Sequence, residues 1–372
     1  MKIAQVTSPK PLSLNYATFL ADLQNAGFKG EISSSYGQRL IMATDNSIYQ
    51  RLPQAVIFPQ NDSDVIMLMQ VLKKHPSVSI TARGGGTGTN GQSLTTGITV
   101  DLSRHFKQIL EINARQKWVR VQAGVIKDEL NLALKEYGLF FAPELSTSNR
   151  ATIGGMINTD ASGQGSCTYG KTRDHVLELD VVLLGGETFT SRPLSLEAAT
   201  KIALGDNQLS KVFRTSYQIA CDQKDLITQK FPKLNRCLTG FDLAHLLQDD
   251  VFDLNSLLCG AEGALGIITS AKLNVLPIPK YQVLVNVRYG SFMDALRDAK
   301  TLIEHKPLSI ETVDSKVLQL AMQDVVWQEV AQYFPDENQR VQGINLVEFS
   351  GDNEAKVNTK VADFLDYLHK CS

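Results

Sequence analysis

Residues 81–101, TARGGGTGTNGQSLTTGITVD, most constrain how this chain can fold. Three consecutive glycines, Gly84, Gly85 and Gly86, follow Arg83, and Gly88 and Gly91 come soon after. So dense a cluster loses much conformational entropy on folding and brings no side chain to a core. It suits a backbone that takes positive φ or presses against another group. Successive N–H groups in such a loop can converge on phosphate oxygens. The first expectation is a nucleotide-cofactor site; a flexible loop is the plain alternative.

Two literal motif matches compete for this reading. Gly86 to Gly91 spells G-x-G-x-x-G after a strand-like stretch at 78–82. A dinucleotide fold needs a helix to start there and an acidic residue about 20 positions on. The sequence runs instead into the β-branched stretch 95–100. Residues 165–172, GSCTYGKT, spell the P-loop pattern, which needs an apolar strand before it and a helix after it. Here polar INTDASGQ precedes it, and RDH and a strand follow. Both matches have the wrong flanks.

Periodicity predicts helices over 16–26, 64–74 and 128–137, and strands at 55–58, 78–82, 98–102, 109–112 and 118–121. Residues 39–51 are mixed. Residues 151–170 form a second cluster of small residues, too polar and glycine-rich for core. A strand at 177–184 turns at Gly185-Gly186 into 187–190, and residues 191–250 read as a helical, polar excursion. A third glycine group, 260–266, precedes a strand at 267–276. After Pro277-Ile278-Pro279 the pattern changes: strands at 283–287, 308–312 and 344–349 alternate with helices at 293–304, 315–322 and 354–369, which indicates a separate unit.

A length of 372 residues suits two domains of ~150 residues each. Thirty-seven basic against 39 acidic residues gives a net charge of −2, which offers no basis for nucleic-acid binding through overall charge. The cysteines Cys167, Cys221, Cys237, Cys259 and Cys371 are dispersed, so neither an iron–sulfur ligand set nor a zinc ribbon is encoded. Their odd number suits reduced thiols and a cytoplasmic setting. No apolar run is long enough for a transmembrane segment. The expected location is cytoplasmic, with peripheral membrane association through an electron acceptor left open.

Seven stretches in order carry a family resemblance: 53–59 (PQAVIFP), 81–89 (TARGGGTGT), 121–124 (VQAG), 151–157 (ATIGGMI), 161–170 (ASGQGSCTYG), 174–177 (DHVL) and 259–269 (CGAEGALGIIT). They resemble the vanillyl-alcohol-oxidase/PCMH superfamily of FAD-linked oxidoreductases, and within it the branch of D-lactate and D-2-hydroxyglutarate dehydrogenases. The tail at 310–314 (IETVD) is similar to that branch's cap domain, and the chain also resembles the N-terminal part of a long bacterial form that carries an iron–sulfur half.

The resemblance implies an α+β fold: a PCMH-type FAD-binding domain of two α/β subdomains, then an incomplete ferredoxin-like α/β cap. It divides the chain into an N-terminal extension (1–50), the FAD-binding domain (51–278) and the FAD-linked oxidase C-terminal cap (279–372), which looks truncated. It implies FAD contacts from Arg83, Gly84, Gly85, Gly86, Thr87, Gly88 and Thr89 at the pyrophosphate. Thr152, Ile153, Gly154 and Gly155 would lie at the flavin. Ser162, Gly163, Ser166, Tyr169 and Gly170 would make a second polar wall, with Asp174 and Val176 beside it. Glu262, Gly263, Gly266, Ile267 and Ile268 would close the adenine or ribose side. A valine at Gly85 or Gly86 is expected to give colourless protein that still folds.

The activity implied is oxidation of a D-2-hydroxy acid, D-2-hydroxyglutarate or D-lactate, to the 2-keto acid by hydride transfer to flavin. Electrons then pass to a quinone, an electron-transfer protein or an iron–sulfur region. FAD is expected to be non-covalent, since no histidine stands inside the loop and Cys167 is a poor candidate for attachment. His175, between an aspartate and an apolar strand, reads as a core or edge histidine. The six histidines are too widely spaced for the family's divalent-metal pattern. No catalytic residue is assigned. The alternative is an FAD-binding fragment of a longer or split dehydrogenase, inactive alone.

Overall fold

A computed structural model describes residues 11–234, 241–325, 327–334 and 341–371 of the chain, so Cys237 lies outside the described residues. The chain divides into two compact units, Met1–Ala161 with Lys171–Leu276, and Ser162–Gly170 with Pro277–Ser372.

The first unit contains two main sheets. One has the strand order Glu31–Ser33, Ala55–Phe58, Ile98–Asp101, Ile80–Arg83. Its last three strands are parallel, and the first is antiparallel. Every residue of Ala55–Phe58 and Ile98–Asp101 is buried, as the inner strands of a parallel sheet require. Helices Leu14–Asn25 and Asp62–Leu72 share the core through Phe19, Leu23, Val65 and Leu68. The second begins where Asn61 accepts from the Asp64 N–H at 3.1 Å. The strand after the glycine loop is as expected from sequence.

The other sheet is antiparallel, ordered Ile109–Asn113, Trp118–Gln122, Ile267–Asn274, Val176–Val182, Thr188–Ser191. Val119, Val121, Leu179, Val181 and Leu273 face a core shared with Leu130 and Leu134 of helix Lys127–Lys135 and with helix Ile153–Asn158. The opposite face is polar. Arg120 pairs there with Asp180 at 2.7 Å and with Glu178, and Lys272 lies 4.3 Å over the Trp118 ring.

The expectation that 151–170 is all non-core needs correction. Ala151, Ile153, Met156 and Ile157 are buried core. Small residues let this short helix sit close: a Cβ on Gly154 would stand 2.8 Å from the Ala123 Cβ. The excursion beyond residue 191 is helical as expected, with Leu196–Ala203 and Gln208–Asp222, plus Lys224–Lys230. It has its own core of Ala199, Phe213, Leu246 and Phe252.

The second unit is an antiparallel sheet ordered Tyr281–Tyr289, Gly343–Gly351, Ser309–Asp314. Helices Phe292–Leu302 and Glu354–Cys371 pack on it through Leu302, Val347, Phe349, Val357 and Phe364. Segment Ser162–Gly170 belongs to this unit. Gln164 donates to Ser309 Oγ at 3.2 Å and Glu348 Oε2 at 3.3 Å, and Thr168 Oγ1 donates to the Leu308 carbonyl at 3.1 Å. Among the described residues no helix is long and apolar enough to cross a membrane.

Candidate functional site

The glycine loop leaves strand Ile80–Arg83 and rests on a shelf formed by residues 150–152. A Cβ on Gly84 would overlap the Thr152 side-chain oxygen, and one on Gly85 the Arg150 carbonyl. Gly86 has φ +63° and packs on the Arg83 guanidinium. These glycines are therefore required first by the protein's own packing. Gly85→Val must displace the Arg150 main chain, so the expectation that such a variant keeps the fold intact gives way to one in which the shelf moves as well.

Arg83 is turned beneath the loop. It donates to the Thr44 carbonyl at 2.8 Å, the Met42 carbonyl at 3.4 Å and Ser93 Oγ at 3.3 Å. Burial lowers its affinity for the proton, and Asp101 and Asp45 act in the opposite sense. The Asp101 carboxyl is in turn raised by burial, against hydrogen bonds from Ser103 and Arg104 and the charge of Arg83. Arg83 thus fastens the loop to residues 42–44. Sequence reasoning, which set it at the pyrophosphate, had no signal for those partners in the mixed stretch 39–51.

The upper side of the loop is different. Gly85 and Thr89 are exposed. Among the described residues, no protein acceptor takes the N–H groups of Gly85, Gly86, Thr87, Gly88 or Thr89. Five successive unused donors on a glycine-shaped loop can form a nest for an anion.

The other expected residues of this unit take recognisable places. Thr152 caps helix Ile153–Asn158 by accepting from the Gly155 N–H at 3.3 Å. Asp174 accepts from the Lys171 N–H at 2.9 Å. Val176, Ile267 and Ile268 are core side chains, so any cofactor contact there falls to main chain. Glu262 is exposed at φ +51°, its N–H bonded to the Asn158 carbonyl at 2.9 Å; Gly263 at φ +79° faces open space. A Cβ on Gly266 would stand 3.0 Å from the Val182 carbonyl. His175 is a core histidine as expected, edge-on to Phe141 at 5.8 Å.

Ser162, Gly163, Ser166, Tyr169 and Gly170 lie in the second unit. There Ser166 Oγ accepts from the Gly163 N–H at 2.9 Å, and Tyr169 bonds Ser350. Burial raises the Tyr169 phenol, as do the charges of Glu348 and Asp352. Ser162 Oγ is buried and has no partner among the described residues. The P-loop reading fails structurally. Residues 166–169 form a single four-residue turn, and strand Val176–Val182 follows a 3-10 turn.

Comparison with known proteins gives the family setting of this loop. Residues 53–192 match the family described as FAD binding domain, and residues 278–371 match FAD linked oxidases, C-terminal domain. The chain thus carries an FAD-binding domain followed by the C-terminal domain of FAD-linked oxidases. It is 62% identical over 370 residues to a D-2-hydroxyglutarate dehydrogenase of Pseudomonas putida, covering 98% of this chain and 37% of that protein. It is 51% identical to one of Escherichia coli, covering 97% and 36%. Against the glycolate oxidase subunit GlcD of Bacillus subtilis the identity is 30%, covering 73% and 47%. The chain thus spans little more than a third of the length of the D-2-hydroxyglutarate dehydrogenases it matches. The fold is shared with an alkyldihydroxyacetonephosphate synthase, at a TM-score of 0.69 and 18% identity, covering 100% of this chain and 62% of that one. The expected α+β fold of the superfamily is what the chain adopts.

Proposed function

We propose that the chain binds FAD in its first unit and serves a D-2-hydroxy-acid dehydrogenase acting on D-2-hydroxyglutarate or D-lactate. The run of unused N–H donors from Gly85 to Thr89, seated on residues 150–152, carries the cofactor reading. The identities to D-2-hydroxyglutarate dehydrogenases support the substrate class. FAD, when bound, supplies an acceptor for the hydride that leaves the α-carbon. The chain's part is to hold it. Main-chain N–H groups meet the diphosphate, Arg83 fixes the loop from below, and Gly154-Gly155 lets main chain approach without a Cβ. Attachment is non-covalent, and the electron acceptor is a quinone, an electron-transfer protein or an iron–sulfur region.

A second reading is an FAD-binding part without turnover of its own. The coverage of 37% of the Pseudomonas relative favours it. One experiment separates the two: purified chain is reconstituted with FAD and assayed with D-2-hydroxyglutarate and an artificial acceptor. Brisk turnover supports the first, and bound flavin without turnover supports the second. A chain that cannot be loaded with flavin overturns both.

A further inference from the structure

We propose that Lys127 is a positioning residue for the cofactor loop: its buried ammonium holds Glu144, and through it the shelf that seats Gly84 and Gly85. The inference rests on the FAD reading above and adds a residue that the family motifs do not include.

The Lys127 side chain is 2% exposed and its Nζ lies 2.7 Å from Glu144 Oε2. Two general preferences are against it. Burial disfavours an ammonium, and Lys127 is the first residue of helix Lys127–Lys135, the end at which the helix dipole disfavours a cation. An apolar side chain would fill the position without either penalty. What the lysine provides is a fixed point for the opposing segment. Glu144 uses its second oxygen, Oε1, to accept from the Leu145 N–H at 3.1 Å, so the carboxylate bridges helix and turn.

The rest of that segment is tied to the same helix. Asn131 accepts from the Phe141 N–H at 2.8 Å, and Asp128 accepts from Ser148 Oγ at 3.1 Å. The Lys127 N–H donates to the Ala151 carbonyl at 3.0 Å, and Ile126 bridges to Thr152. Arg150 and Thr152, the residues against which Gly85 and Gly84 rest, come at the end of this run. The Lys127–Glu144 contact is the ion pair among these tethers. Its loss removes the charged tether of the turn at 143–145, leaving the packing of Leu145 on the core, and lets the shelf shift under the loop.

The test uses the whole chain, freed of flavin and titrated with FAD, followed by flavin fluorescence and by the visible band of the bound cofactor. The variants are Lys127→Met, Glu144→Ala, their combination, and Lys127→Arg. Each single truncation is expected to weaken FAD at least tenfold and to shift the visible band. The combination should bind no more weakly than the worse single variant, because both remove one contact. Lys127→Arg should recover most of the affinity. Hydrogen exchange across 144–152 should quicken in both single variants without FAD. A role in stability alone would lower the melting temperature of the flavin-free chain and leave the visible band of the bound flavin where it is. Lys127→Met that binds FAD within twofold of the parent, or losses that simply add, would overturn the proposal. If the parent itself takes up no FAD, the cofactor reading fails, and unchanged exchange across 144–152 in Lys127→Met would still overturn the positioning role.

Discussion

At the residue scale, the glycines of the loop have different neighbours and should respond differently. A Cβ on Gly88 meets the end of the flexible Gln92 side chain, 2.5 Å from its amide oxygen. Gly88→Ala should therefore melt close to the parent and lose FAD, since the methyl enters the nest. Gly85→Val must move the Arg150 carbonyl and should lose both FAD and roughly 1–3 kcal/mol of stability by urea titration. Asp101 offers a pH signature. All three of its hydrogen bonds reach one oxygen, Oδ1, from Ser103 N, Ser103 Oγ and Arg104 N. An asparagine can keep them. Because burial raises the folded-state pKa of Asp101, its contribution to stability is full below the unfolded value, about 4, and is lost as pH rises through the raised value. Asp101→Asn should gain on the parent in urea midpoint as pH rises from about 4 to 7; a gap independent of pH would contradict this. The glycines were legible because glycine has few other uses at that density. The Met42 and Thr44 carbonyls beneath Arg83 were not, because they belong to a stretch without periodicity.

Among the elements, the excursion is fastened to the rest of the first unit by buried charge. Arg173, with 13% of its side chain exposed, pairs with Asp242, 1% exposed. Lys171 lies 3.1 Å from Asp160, and His245 Nδ1 is 2.8 Å from Asp242 Oδ2. Burial and the charges of Arg173 and Lys171 lower the His245 imidazole, while Asp242 is already engaged by Arg173. Removing one member of a buried pair strands the other. Arg173→Met should cost about 3–5 kcal/mol, and the double variant that combines it with Asp242→Leu should cost less. Urea unfolding of the parent and both variants checks the order. Such pairs escape sequence reading, since Arg173 and Asp242 are far apart in the chain. Helix Asp62–Leu72 was legible from its apolar face. Helix Ile153–Asn158 was not, because its glycines mimic a loop, while Ile153, Met156 and Ile157 supply the burial.

At the scale of the molecule, FAD should stabilise the unit that holds it. Free FAD at 100 times its dissociation constant adds about 2.7 kcal/mol to that unit. Calorimetry with and without FAD should show the transition of the larger unit move and that of the smaller one stay. The order of the glycine clusters made the family resemblance legible. The membership of residues 162–170 was hidden, because chain order places them inside the first unit while Gln164 and Thr168 bond to residues 308, 309 and 348.

That discontinuity has a practical result for anyone cloning the protein in pieces. A gene fragment starting at Pro277 encodes the sheet and its helices but omits the partners of Glu348, Ser309 and the Leu308 carbonyl. Expressed alone it should be poorly soluble, and a synthetic nonapeptide spanning Ser162–Gly170, supplied in trans or fused through a short linker, should improve its yield.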